Sequence, residues 1–330
     1  MFLKYKGNIY FLSVIFLLNI LALIIIWSKN FNYTIDLHIY KDIVEKFDGN
    51  LLKILINNNF LLFILSKTFV FIPVEVFIRL LQSFSILLLT FVLLRYIRPY
   101  YVLSIILFTF FNLYLNQFKS AIALSLCLIL FYEKNIKAIF RILMICISFL
   151  SHFFVSGFFI FSLYLQNYRF NSYKRSIYIF TLFGVVITIL YFFNASFFNR
   201  YIYYFTRDNV FFSLKFLIVI ILLIINFKKI SQNVKFYLFI ISLFLMFFSS
   251  YSSLSTRISE WVVIFIFIYL SDKENFNKII HSKESYPFFK KYNILLISLG
   301  YFIYSFINVI VFERDMSYKL FKFVTSLNNQ

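Results

Sequence analysis

Long apolar runs, repeated from one end of the chain to the other, constrain this sequence more than any other feature. Residues 9–27, 77–94, 99–115, 118–132, 138–150, 153–166, 176–193, 212–227, 236–250, 258–270 and 294–312 carry few charges or none. A bilayer core is about 30 Å thick and takes about 20 apolar residues of helix to cross. The composition agrees: 62% of residues are hydrophobic and the mean hydropathy is +0.87, against about 45–50% apolar residues in a soluble domain. The chain therefore reads as all-α, a polytopic integral membrane protein with about 11 transmembrane helices (10–12) in a single membrane domain, 1–330.

Residues 60–72 are the exception. This apolar run is short, is interrupted by Lys67 and is closed by Pro73, which fits an interfacial or re-entrant segment better than a span. The first run, 9–27, is too long for a signal-peptide core. It ends in Trp27-Ser28-Lys29 without a small-x-small cleavage site, so it is expected to be a retained first span.

Charge sets the expected orientation. A formal net charge of +19 would point to nucleic acid in a soluble protein. In a membrane protein it follows from the positive-inside rule, and an anionic lipid or phosphate substrate adds to it; no nucleic-acid partner is expected. Lys4 and Lys6 favour a cytoplasmic N-terminus. The short basic loops at Arg95–Arg98, Arg169–Arg175, Lys228–Lys235 and Lys273–Lys291 then all fall on the cytoplasmic side. Counting 60–72 as a span would reverse everything after it and break that agreement. On this topology 271–293 is a cytoplasmic loop, while 28–59 and 194–211 are periplasmic. Within 28–59, Ile39, Ile43 and Phe47 recur every four residues and predict a short amphipathic surface helix.

Several classes are disfavoured. Cys127 and Cys146 lie inside apolar runs and read as packing residues rather than a disulfide framework. Only 5 Gly and 3 Pro occur, whereas carriers usually depend on helices broken at such residues. There is no D-x-D pair, no H-E-x-x-H, no P-loop, no G-x-S-x-G and no Cys/His cluster. A cytosolic nucleotide donor, a metal and a cofactor are thus not expected.

What the outer helix ends collect is unusual. Asp36 and Tyr40 lie in the first loop. Asn116, Gln117 and Lys119 lie at a turn between two spans, and His152 lies at the next outer turn. Arg200, Tyr201 and Arg207 lie in 194–211, and Arg257 opens a late span with Glu260 one turn on. Each has an ordinary alternative. Asp36 fits a helix N-cap, Lys119 a snorkelling lysine, His152 a satisfied turn histidine, Arg200 an interfacial anchor. Arg257 and Glu260 fit an i, i+3 pair. Jointly they describe anion handling: Arg grips phosphate with a planar fork and Lys supplies a point charge. Fixed cations would stabilise a departing diphosphate, and a carboxylate or His would take a proton from an attacking hydroxyl.

These residues resemble those of the EpsG/Wzy-type polysaccharide polymerases. Asp36-x-x-x-Tyr40 resembles the family's Asp-Tyr element. Asn116-Gln117-Phe118-Lys119-Ser120-Ala121-Ile122-Ala123, followed by His152, resembles its Asn-x-x-Arg-Gln-x-x-Ala run and Phe-His-x-Ser element. Arg257 in Ser255-Thr256-Arg257-Ile258-Ser259 resembles its late-span Arg. Lys119 stands where the family usually has Arg, Ser120 where it often has Gln, and the Phe before His is absent.

The resemblance implies a bacterial inner-membrane glycosyltransferase that joins polyprenyl-diphosphate-linked oligosaccharide repeat units at the periplasmic face. Its partners would be that lipid-linked glycan, membrane lipid and a chain-length regulator protein. Arg257, Arg200, Lys119 and Arg207 would hold diphosphate, Asp36 and His152 would be catalytic, and Tyr40, Asn116, Gln117 and Tyr201 would position glycan. A lipid-linked oligosaccharide flippase and an O-antigen ligase remain the alternatives.

Overall fold

The computed structural model describes residues 9–28, 41, 68, 71–115, 117–167, 214–227, 230–232, 234–235, 237–238, 241, 252–280 and 288–310. Among them there is no strand. The helices are α1 (Ile9–Ser28), α2 (Val74–Tyr96), α3 (Pro99–Thr109), α4 (Phe118–Tyr132), α5 (Ala138–Asn167), α6 (Leu214–Asn226), α7 (Ser252–Ile280) and α8 (Phe288–Ile310). The chain divides into two compact units, Met1–Phe159 with Ser271–Gln330, and Ile160–Leu270. The divisions fall within α5 and α7.

α1 and α2 leave many large apolar side chains exposed, unlike the surface helices of a soluble protein. The buried stripe of α1 is Ile15, Asn19, Ala22 and Ile26, while Phe16, Leu17 and Ile24 are 66%, 63% and 59% exposed. In α2, Gln82, Ser85 and Thr90 are buried and Phe84, Leu87 and Phe91 are exposed. A surface helix of a soluble protein turns its polar side outward. Holding one large apolar side chain in water rather than burying it costs about 1.5–3 kcal/mol. The exposed side chains named here would together offset most of a folding free energy of about 5–15 kcal/mol. Both helices are long and apolar enough to cross a membrane.

Local chemistry sets the corners of the first unit. Proline at N1 needs no backbone donor, and it disfavours helix in the residue before it. Arg98 is accordingly extended before Pro99, and the turn between α2 and α3 is only Ile97 and Arg98. At the far end of α3 the helix widens into a π-turn, Phe110–Tyr114, closed by Leu115 N–H donating to the Phe110 carbonyl at 3.0 Å. Every residue of α3 is buried. Its Ser104 and Thr109 hydroxyls donate back to the Tyr100 and Ile105 carbonyls at 2.8 and 2.7 Å, so both are satisfied within the helix.

Cross-helix contacts give the directions. Asn19 meets Thr90, and Trp27 meets Ser83, so α1 and α2 are antiparallel. Phe77 and Ile78 pack on Phe118 and Ile122, and Tyr96 stacks on Tyr132 at 4.7 Å, so α2 and α4 are parallel. Phe108 meets Tyr301 and Phe111 meets Phe306, so α3 and α8 are parallel. One end of this unit therefore gathers Arg95, Arg98, Tyr132 and Glu133. The opposite end gathers Trp27, Arg79, Gln117 and Lys119.

α5 is a hairpin. His152 is extended (φ −161°, ψ 96°) between helical neighbours, and the Ser148 and Ser156 hydroxyls lie 2.6 Å apart. Eight residues of straight helix span about 12 Å, so the chain folds back on itself at His152. This places the turn where two apolar runs, 138–150 and 153–166, were expected to meet. The 271–293 loop differs from expectation: 271–280 continues α7 and 288–293 opens α8. Its Asp, Lys and Glu side chains are compatible with helix once the apolar run ends.

Candidate functional site

At the corner before α4, Gln117 is the N-cap. Its carbonyl accepts from Ala121 N–H at 3.0 Å, and its side-chain oxygen accepts from Ser120 Oγ at 3.3 Å. Gln82, which the sequence did not single out, reaches the same corner from α2 and donates from Nε2 to the Leu115 carbonyl at 3.3 Å. Its buried Oε1 has no partner among the described residues. Lys119 is half-buried on the first turn of α4.

His152 holds the neighbouring corner. Its Nδ1 accepts from Val155 N–H at 3.4 Å and its carbonyl accepts from Ser156 Oγ at 3.0 Å. Extended backbone with the side chain on the third following amide is N-cap geometry. The neutral ring must then carry its proton on Nε2, and Nδ1 is engaged as a structural acceptor. Ser148 Oγ approaches the Ala123 carbonyl at 3.3 Å where α4 and the first arm of α5 run antiparallel. Lys119 lies four residues before Ala123 and His152 four after Ser148, so the two sit at the same level. Below them Cys127 Sγ, Ser148 and Ser156 form a buried network. A thiol sealed inside such a network is inert.

The second unit carries its own cluster. Lys215 Nζ lies 2.6 Å from Glu260 Oε2, with side-chain exposures of 6% and 2%. The i, i+3 partnership of Arg257 with Glu260 is therefore not the ion pair formed; Glu260 pairs across to α6 instead. Lys215 was missed because its partner lies 45 residues away. The signal present was a lone cation in the run 212–227 facing a lone acid in 258–270. Arg257 is half-buried one turn ahead of Glu260 and forms no ion pair or hydrogen bond among the described residues. Ser259 Oγ beside it is buried and also lacks a partner there. A half-buried guanidinium with no counter-charge among the described residues favours an anion.

Asp36, Tyr40, Asn116, Arg200, Tyr201 and Arg207 lie outside the described residues. Gln117, Lys119 and His152 come together at one end of the first unit, and Arg257 belongs to the second. Among the described residues no group of His, Cys, Asp and Glu could hold a metal ion. Comparison with family models, with curated proteins and with solved structures finds no match.

Proposed function

We propose that the chain is an inner-membrane glycosyltransferase of the surface-polysaccharide polymerase type, with about 11 membrane spans and a cytoplasmic N-terminus. Its donor is a growing glycan on a polyprenyl diphosphate, and its acceptor is a new lipid-linked repeat unit at the periplasmic face. The observation that carries this reading is Arg257, which forms no ion pair among the described residues: Glu260 is held by Lys215, and a guanidinium one turn ahead can grip a diphosphate in two places. Arg200, Arg207 and Lys119 add cations, Asp36 or Nε2 of His152 takes the acceptor proton, and Tyr40, Asn116, Gln117 and Tyr201 position glycan. A chain-length regulator is the proposed protein partner.

The membrane part of the reading is supported by the exposed apolar faces of α1 and α2, both long and apolar enough to cross a membrane. The test is Arg257→Ala and Arg257→Lys in a strain deleted for the native copy, with surface polysaccharide resolved on gels. Both variants should stay in the membrane and yield single-repeat products, the Lys variant because a point charge does not replace a fork. Normal chain lengths in Arg257→Ala would remove it from the site. Retained lipid-linked polymer without transfer would favour the ligase alternative. Cytoplasm-facing lipid-linked units would favour the flippase, to which a buried ion pair such as Lys215–Glu260 is also suited.

A further inference from the structure

We infer that the basic end of the first unit binds one anionic diacyl phospholipid in the crevice between α2, α4 and the start of α5. This rests on the membrane reading of the apolar helices and not on the polymerase reading. The crevice encloses about 290 Å³. Its walls are apolar: Leu88, Phe91 and Val92 from α2, Ile129 from α4 and Met144 from α5. Phe84, Leu87 and Phe91 on α2, and Ile139, Ile142 and Leu143 on α5, are exposed apolar side chains around it. An acyl chain lying there continues a surface already suited to lipid.

The mouth is cationic. Leu88, Phe91 and Arg95 follow one stripe of α2, so the apolar wall ends in a guanidinium after about 10 Å of helix. Arg95 pairs with Glu133, and Tyr96 Oη donates to the same carboxylate at 2.8 Å. Glu133 thus neutralises a single cation. Lys134, Lys137 and Arg141 stand exposed on the adjoining turn and first helical turn. Arg141 also donates to the Lys134 carbonyl at 3.1 Å, which ties two of these cations together. The excess positive charge above an apolar crevice selects a phosphate headgroup with net negative charge; basic pockets between membrane helices bind such headgroups.

The experiment is native mass spectrometry of the full chain purified in detergent and titrated with phosphatidylglycerol or phosphatidylcholine of identical acyl chains. One phosphatidylglycerol should bind in preference to phosphatidylcholine. Lys137→Gln and Arg141→Gln should each weaken it about five-fold, since a basic residue near an anionic headgroup contributes about that factor. Met144→Trp, which fills the crevice without touching charge, should abolish the preference, while Lys235→Gln, outside it, should leave it intact. Equal binding of the two lipids overturns the proposal. So does an undiminished preference in Met144→Trp, or full competition by glycerol phosphate, which has the headgroup but no chains. Recovery of the chain in the soluble fraction after alkaline carbonate washing would instead overturn the membrane reading.

Discussion

The buried pair Lys215–Glu260 permits the sharpest energetic prediction. At 2.6 Å the attraction is about 6 kcal/mol with an effective dielectric constant of about 20, and it is offset by a desolvation cost of several kcal/mol for each ion. The net contribution of the intact pair is therefore small, while either ion alone keeps its cost and loses this partner. Glu260→Gln and Lys215→Met should each destabilise the second unit by about 3–5 kcal/mol, and the double variant Lys215→Met/Glu260→Leu should lie within about 1 kcal/mol of the parent or above it. The chain has 2 tryptophans, Trp27 and Trp261, and Trp261 adjoins Glu260 and is 7% exposed. In a Trp27→Phe background, unfolding by SDS in mixed micelles can be followed through Trp261 fluorescence, which reports on the second unit alone. Two mild single variants would refute the reasoning, because they would mean that water reaches the ions. A double variant as damaging as both singles added would refute it too, because the pair would then be a net stabiliser rather than a mutual compensation.

Three further outcomes follow from the first unit. His152→Ala should cost about 1 kcal/mol of stability, and His152→Asn, which can cap the same turn, should recover most of it; equal losses in the two variants would remove the capping role. Ser148→Cys/Ser156→Cys in a Cys127→Ser background should form an intramolecular disulfide under mild oxidation, detected as a cross-linked peptide, because the two hydroxyls lie 2.6 Å apart and a continuous helix could not bring them together. Thr90 Oγ1 donates to Asn19 Oδ1 at 3.1 Å between α1 and α2. A double-mutant cycle with Thr90→Val and Asn19→Leu should return a coupling of about 0.6–1.7 kcal/mol, and zero coupling would argue against this helix pairing.

Much of the helical layout was legible because apolar runs in this chain are bounded by strong local signals. Pro73 and Pro99 start helices, and the break at His152 separates two runs that sequence alone already divided. The π-turn at Phe110–Tyr114 was not legible, since its apolar and aromatic residues give no sign of an i, i+5 ladder. The site was read less completely, for a different reason. Local rules see neighbours three and four residues apart, so Arg257 and Glu260 looked like partners. The actual partner, Lys215, is set by which helices pack together, and that depends on the fold. Gln82 was hidden in the same way: its role at the Leu115 carbonyl depends on α2 and α4 being parallel.

Polar groups buried among apolar helices separate into two kinds by whether the chain itself satisfies them. Asn19 with Thr90, Ser104, Thr109, and the Cys127–Ser148–Ser156 network find partners within the unit. Asn19–Thr90 and the Cys127–Ser148–Ser156 network join helices, Ser104 and Thr109 bond within their own helix, and a ligand could engage any of them only by breaking bonds already made. At the head of α7 the arithmetic differs. Two cations, Lys215 and Arg257, share one described carboxylate, and that carboxylate is held by Lys215 at 2.6 Å. A half-buried guanidinium with no counter-charge among the described residues suits an anion supplied by a ligand. If that anion is the diphosphate of a lipid-linked glycan, the Lys215–Glu260 pair has a defined part in the site. It ties the head of α7 to α6, so disrupting the pair through Lys215→Met should misplace Arg257 and lower activity even where the protein remains folded. Lys215→Arg, which preserves the pair, should retain activity; a folded Lys215→Met protein with full activity would separate the ion pair from function.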